Sequence, residues 1–319
     1  MKKLLFLINP LSGSGKGKLL AKEIASEMQG RMPAHEYDIV YTTPEATRQA
    51  RNLASQYETV IAAGGDGTLN QIACGIIESG KTPRMGIIPL GTGNDFARSL
   101  GLIDIVKRKG LSGLIDLFLT DNTRPVDVFT LDEQHMFINY AGFGRDAAIA
   151  AAFDRLRRRT PFRLLCACGG GKLLYLLLTL ICALQKCAPG LELSYQTDDG
   201  LTETMHFKHS LCQLLITNIN SYGAGARVSS SSRMDDGMFE VTIMRNSVRW
   251  FLLHLSRFTG RAFDTLAPTG AVIRTRELSL CLPESVPTQI DGETVTIEPK
   301  KNLTIRKTAQ LTMLATPRS

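Results

Sequence analysis

The chain has 319 residues, room for one large domain or two of ordinary size. With 44% hydrophobic and 21% charged residues it has globular composition, which excludes a disordered or collagen-like chain. Its net charge of +7 suits an anionic membrane surface, and the absence of a basic stripe interleaved with aromatics argues against nucleic acid.

The opening MKKLLFLINP places two lysines before an apolar run of residues 4–8, too short for the about 7–15 apolar residues of a signal peptide. It reads as a first buried strand. A helix follows through LLAKEIASEM, where Leu19, Leu20, Ile24 and Met28 recur near the helical period. Strands are predicted at 38–42, 59–63 and 85–89, with helices at 45–55 and 69–78 between them. That alternation predicts a parallel sheet covered by helices, in which ligands bind beyond the carboxyl ends of the strands. Three polar, glycine-rich segments fall at those ends: NPLSGSGKG, GGDGTLN and PLGTGND.

Beyond Pro125 the texture changes to short strand-like runs, including VDVFTL, CQLLITNI, FEVTIM and TVTIEP, interrupted by helical stretches near 145–158, 172–186 and 248–258. This predicts a second, β-rich, sandwich-like domain with the active site in the cleft between the two. The division expected is 1–125 for the first domain, completed by 306–319, and 126–305 for the second. Within the second, Arg155, Arg157, Arg158, Arg159 and Arg163 precede the apolar run 173–184. Twelve helical residues span about 18 Å, short of the about 30 Å of bilayer hydrocarbon. The run can lie in a core or on a membrane surface, and the arginines can be a solvated face or a contact for anionic headgroups. The seven cysteines form no CxxC pair and mostly sit in apolar runs, which points to a reducing compartment without a disulfide framework.

The segment TVIAAGGDGTLN carries the clearest chemistry. Gly64 and Gly65 are expected to take φ > 0 and let the backbone approach a ligand. Thr68, Leu69 and Asn70 are expected to open a helix whose N-terminus favours phosphate. Asp66 would repel a bare phosphate, so it implies a divalent cation between carboxylate and phosphate. A plain strand-to-helix turn with Asp66 as the cap is the structural alternative. NPLSGSGKG is not a P-loop, since Pro10 stands where its first glycine belongs and Gly17 where its Ser or Thr belongs. Its Ser12, Gly13, Ser14 and Gly15 still offer amides and hydroxyls, and GTGND adds Thr92, Asn94 and Asp95.

In order and spacing, Asn9-Pro-x-Ser-Gly, GGDGTLN and PLGTGNDFAR resemble the diacylglycerol kinase catalytic family of lipid kinases, which includes sphingosine and ceramide kinases. FINYAGFGRDAAIA, TNINSYGAG, DDGMFEVTIM and QIDGE extend the resemblance over nearly the whole chain. It implies a nucleotide-binding α/β domain, with the strand LTMLAT returning to it, and ATP held by Asn9, Pro10, Leu11, Ser12, Gly13 and by Gly64, Gly65, Asp66, Gly67, Thr68, Leu69 and Asn70, helped by Thr43 and Thr92. It implies Mg²⁺ at Asp236 with the carbonyls of Arg233 and Met238. The segment VSSSSR before that aspartate departs from the proline and alanine usual there. As a bare pattern, QIDGE is a hairpin turn. Through the resemblance it supplies the general base, Glu293 first and Asp291 beside it, in an ATP- and Mg²⁺-dependent transfer to a lipid hydroxyl. The expected partners are ATP, a lipid at an anionic membrane surface on the cytoplasmic side, and a second copy in a homodimer. The rival readings are a soluble-substrate kinase like NAD kinase and a catalytically silent lipid- or nucleotide-binding regulator.

Overall fold

The computed structural model describes residues 2–157, 159, 174, 177–179, 181, 191–197, 199–208, 211–267, 270–282 and 284–316. Its first strands are β1 (Lys2–Ile8), β2 (Tyr37–Tyr41), β3 (Tyr57–Gly64) and β4 (Arg84–Pro89), paired in parallel in the order β2-β1-β3-β4. Helices α1 (Ser12–Gly15), α2 (Gly17–Met28), α3 (Ala46–Leu53), α4 (Asp66–Glu78), α5 (Asp95–Ser99) and α6 (Leu102–Phe118) connect and cover them. β1 and β3 read as unbroken apolar runs because both faces of a parallel sheet are buried. Helix α2 buries Leu20, Ile24 and Met28, one residue per turn, and leaves its other faces wet. Because all of β1, β3 and β4 point the same way, the three glycine-rich segments emerge along one edge. That much of the expected architecture is present.

The later strands are β5 (Thr123–Leu131), β6 (His135–Phe137), β7 (Tyr140–Gly144), β8 (Glu192–Gln196), β9 (Thr202–His206), β10 (Gln213–Thr217), β11 (Ser221–Tyr222), β12 (Ala226–Arg227), β13 (Phe239–Met244), β14 (Val272–Thr275), β15 (Glu277–Leu282), β16 (Thr288–Ile290), β17 (Glu293–Val295) and β18 (Lys300–Leu314). β18 is much longer than the run LTMLAT suggests. It pairs antiparallel with β15 and with nearly all of β5, and meets β4 in parallel at Met313 and Met85. A single ten-stranded sheet therefore runs through both halves of the chain. A second, six-stranded sheet has the order β14-β13-β10-β7-β16-β17.

Phe129, Leu193, Leu278 and Ile305 of the large sheet meet Phe143, Ile216, Phe239 and Val241 of the small one in a common core, which makes the second half a β-sandwich. The outer face of the small sheet is covered by α7 (Arg145–Arg157) and α8 (Ser247–Thr259), followed by the short α9 (Phe263–Leu266). Arg158, Arg163 and most of the run 173–184 lie outside the described residues. Of that run, Leu174 and Leu178 are buried in this outer core.

Candidate functional site

Three loops close on one another at the carboxyl edge of β1, β3 and β4. Asn9 follows β1 and donates its main-chain N–H to the Ala63 carbonyl of β3. Its side-chain Nδ2 donates to Thr68 Oγ1 at 3.0 Å, and its Oδ1 accepts from the Leu11 amide at 3.0 Å. One asparagine thus ties the first segment to the second. Half-buried Pro10 and exposed Leu11 form the start of the turn, Ser12 and Gly13 stand on α1, and Gly13 has φ +61° beside the Leu90 carbonyl.

The glycines of GGDGT have a different reason from the one expected. Gly64, Gly65 and Gly67 are not among the positive-φ residues. At Gly64 nothing larger fits, since a Cβ there would stand 2.5 Å from the Thr68 Cβ. A Cβ on Gly91 would stand 2.7 Å from the Gly65 Cα, so the second and third loops pass backbone against backbone. The helix also begins two residues earlier than expected, with Gly65 as its cap and Asp66 already in its first turn.

Asp66 turns its carboxylate to the start of another helix. Its Oδ2 accepts from the Asp95 amide and its Oδ1 from the Phe96 amide, each at 3.2 Å, so it caps α5 from outside. Asp95 in turn accepts from Ser221 Oγ at 2.5 Å, the Ala224 amide at 2.8 Å and the Gly225 amide at 2.9 Å, which fastens α5 to the β11–β12 turn of the second half. Burial and the neighbouring Asp95 charge push the Asp66 carboxyl above its ordinary range. Three of the five described non-glycine residues with positive φ, Asn94, Ala224 and Asp291, sit in these segments. Backbone strain is therefore concentrated here.

The acidic pair of QIDGE separates into two roles. Asp291 is buried at φ +47° and receives four donors: Asn70 Nδ2 at 2.5 Å, and the amides of Ile138, Asn139 and Tyr140 at 2.8–3.0 Å. Burial pushes its carboxyl up to about 6 against the pull of those donors. A carboxylate so occupied is a clamp, and Asn70, expected at the nucleotide, is half of it. Glu293, two residues on, is exposed at the start of β17. Its Oε1 accepts from Gln71 Nε2 at 3.4 Å and lies 3.1 Å from where a Cβ on Gly67 would be. The third glycine of the motif thus leaves room for the Glu293 carboxylate beside the first turn of α4. Leu69, also expected at the nucleotide, is wholly buried and packs in the core of the first half.

The remaining expected residues lie further out. Thr43 is exposed after β2, its amide bonded to Gln49 Oε1 at 2.9 Å, and Thr92 is exposed in the third loop. Neither has a contact that brings it to Asp66 or Glu293. Asp236, in the turn before β13, accepts the Met238 amide on Oδ1 and is ion-paired to Arg274 through Oδ2. Buried Glu240 stands on the other side of the same guanidinium, 4.0 Å from Nε, and burial pushes its carboxyl up to about 7. The guanidinium thus occupies the Asp236 carboxylate that was expected, with the carbonyls of Arg233 and Met238, to hold Mg²⁺. Asp66 and Asp95 form the other pair of close carboxylates. A Cβ on Gly93 would lie 3.3 Å from the Asp95 carboxylate and 3.5 Å from that of Asp66, so two like charges converge there. Sequence reasoning missed Arg274, whose partner is 38 positions away, and undervalued Asp95, whose Asn-Asp context is also an ordinary helix start.

A model of the diacylglycerol kinase catalytic domain matches residues 3–131, and one of the diacylglycerol kinase accessory domain matches residues 136–294. A diacylglycerol kinase of Bacillus subtilis is 30% identical over 251 residues, covering 77% of this chain and 75% of that protein. One from Staphylococcus epidermidis is 27% identical over 297 residues, covering 92% and 86%. A crystal structure of a diacylglycerol kinase from Bacillus anthracis superposes with a TM-score of 0.67 over 99% of this chain and 97% of that one, at 18% identity.

Proposed function

The chain belongs to the diacylglycerol kinase family of ATP-dependent lipid kinases, and we propose that it transfers the γ-phosphoryl group of ATP to the free hydroxyl of diacylglycerol, giving phosphatidic acid. The observation that carries this reading is the placement of Glu293. An exposed carboxylate stands against Gly67, at the helix N-terminus on which a phosphate is favoured. Glu293 then takes the hydroxyl proton as the lipid oxygen attacks phosphorus, and the bond to the β-phosphate oxygen breaks.

Asn9 to Gly13 and Gly64 to Thr68 hold the nucleotide in this proposal, with Thr43 and Thr92 at its periphery. Asp66, supported by Asp95, would hold Mg²⁺, which supplies charge neutralisation on the phosphates when bound. Asp291 acts as a positioning residue by fixing the turn that carries Glu293. Residues 1–125 with 306–319 form the nucleotide half and 126–305 the lipid half. Among the described residues no helix is long and apolar enough to cross a membrane. The reading places the enzyme on the cytoplasmic side, working on lipid at an anionic membrane surface, with a homodimer compatible with it.

The test is transfer of label from ATP, with Mg²⁺, to a panel of diacylglycerol, monoacylglycerol, ceramide and sphingosine in mixed micelles, with NAD as a soluble control. Label on diacylglycerol supports the proposal. Label on another lipid corrects the acceptor, label on NAD replaces the lipid reading, and ATP binding without transfer identifies a silent regulator.

A further inference from the structure

Helix α8 presents two unlike faces. Trp250, Leu253 and Ser256 are buried against the small sheet, with Trp250 Nε1 donating to Asp146 at 2.8 Å and the His254 ring packed 4.5 Å from the Trp250 ring. On the opposite face Val248 is 66% exposed, Phe251 60% and Phe258 81%, with Leu255 half-buried among them. These four positions are spaced three, four and three apart and form one stripe along the helix. A single exposed phenylalanine is unremarkable, but an aligned stripe is a surface with a partner.

The charge around the stripe says which partner. SVRWFLLHLSRFT contains no acidic residue, and Arg245, Arg249, Arg257 and Arg261 lie along or just beyond it, with Arg227 alongside. Among the described residues none of these guanidinium groups is paired with a carboxylate. Arg245 lies 5.4 Å over the Phe207 ring, Arg227 donates to the Gly260 carbonyl at 2.9 Å, and Arg257 donates to the Gly223 carbonyl. An apolar aromatic stripe bordered by cations without counter-charges is complementary to a bilayer with apolar tails beneath anionic headgroups.

The contacts of Arg257 give the position a meaning. Gly223 leads directly into Ala224 and Gly225, whose amides hold Asp95, and the Asp95 amide is held by Asp66. Through Arg257, helix α8 is therefore joined to the edge that holds Asp66 and Asp95 by a short run of direct contacts.

We propose that α8 is the element that seats this protein on an anionic bilayer, with Phe251 and Phe258 entering the headgroup region and the surrounding arginines meeting lipid phosphates. The proposal rests on the lipid-kinase reading for its purpose but is measured without it.

Co-sedimentation of the full chain with vesicles of pure phosphatidylcholine, and of equimolar phosphatidylcholine and phosphatidylglycerol, is the test. The unmodified protein should bind the anionic vesicles and release in high salt. Phe251→Ser with Phe258→Ser should weaken binding about tenfold or more, and Arg261→Glu about fivefold or more. Phosphorylation of a water-soluble short-chain diacylglycerol should stay unchanged in both. Vesicle binding at the unmodified level in both variants would overturn the proposal. So would a dimer in light scattering, without vesicles, that the phenylalanine exchanges dissolve, since the stripe would then serve a second copy. If the unmodified protein phosphorylates no lipid, the functional reading fails while the vesicle result still decides the docking.

Discussion

Replacing Asp291 with alanine removes the acceptor of four N–H donors at once, three of them main-chain amides on Ile138, Asn139 and Tyr140. A buried donor left without a partner costs about 1–3 kcal/mol, so the four together amount to about 4–12 kcal/mol. Alanine tolerates the left-handed region at φ +47° less well than aspartate and adds on the order of a few tenths of a kcal/mol, a fraction of the full left-handed cost. In the other direction, the carboxyl is raised from 3.8 to about 6 by burial, so removing the charge at neutral pH returns about 3 kcal/mol. The balance is a loss of about 1 kcal/mol or more, measured as the unfolding free energy in urea. The same shift makes a pH prediction of definite sign. The folded protein binds this proton more tightly than the unfolded chain, so the stabilisation is fully present below about pH 4 and is lost as pH rises through about 6. The variant should lack that part of the slope. An Asp291→Ala protein as stable as the unmodified one, with an unchanged pH profile of stability, would refute the clamp.

Gly67→Ala separates catalytic from structural roles at the third glycine. The added Cβ would stand 3.1 Å from Glu293 Oε1 in the first turn of a helix, where alanine is the better helix former by about 1 kcal/mol. Melting temperature should therefore hold or rise while the transfer rate falls about tenfold or more. A parallel fall in both would make Gly67 a turn residue only. Arg274→Met should leave Asp236 and Glu240 facing each other without their cation. The variant should melt lower than the unmodified protein and gain more stability from Mg²⁺ than the unmodified protein does. An equal Mg²⁺ response in the two would show that Asp236 and Glu240 take up no metal in place of the guanidinium.

The parts of the fold legible in the sequence are those with local signals. Residues 4–8, 59–63 and 85–89 announce themselves as strands because a parallel sheet needs unbroken apolar runs, and the glycine-rich segments follow each of them. The chemistry inside the segments was less legible. Expecting φ > 0 at Gly64 and Gly65 took glycine's commonest use for its actual one, because the approach of Gly91 to Gly65 depends on the packing of two loops distant in sequence. Asn70 reads as a nucleotide ligand until Asp291, 221 positions away, is seen to accept its amide. The choice between Asp291 and Glu293 is likewise invisible in QIDGE, since adjacent acids differ only in which is buried. β18 was recognisable only at its apolar end, because residues 300–310 alternate with charge as a strand with one wet face does.

Catalysis by Glu293 is the centre of this account, and Glu293→Gln tests it most directly. The exchange is nearly isosteric at an exposed position, so stability should stay within about 0.5 kcal/mol. Transfer of labelled phosphate from ATP to diacylglycerol should fall about 10²–10⁴-fold while ATP affinity stays unchanged. Full turnover in the glutamine variant would contradict the assignment and return the base to Asp291 or to solvent.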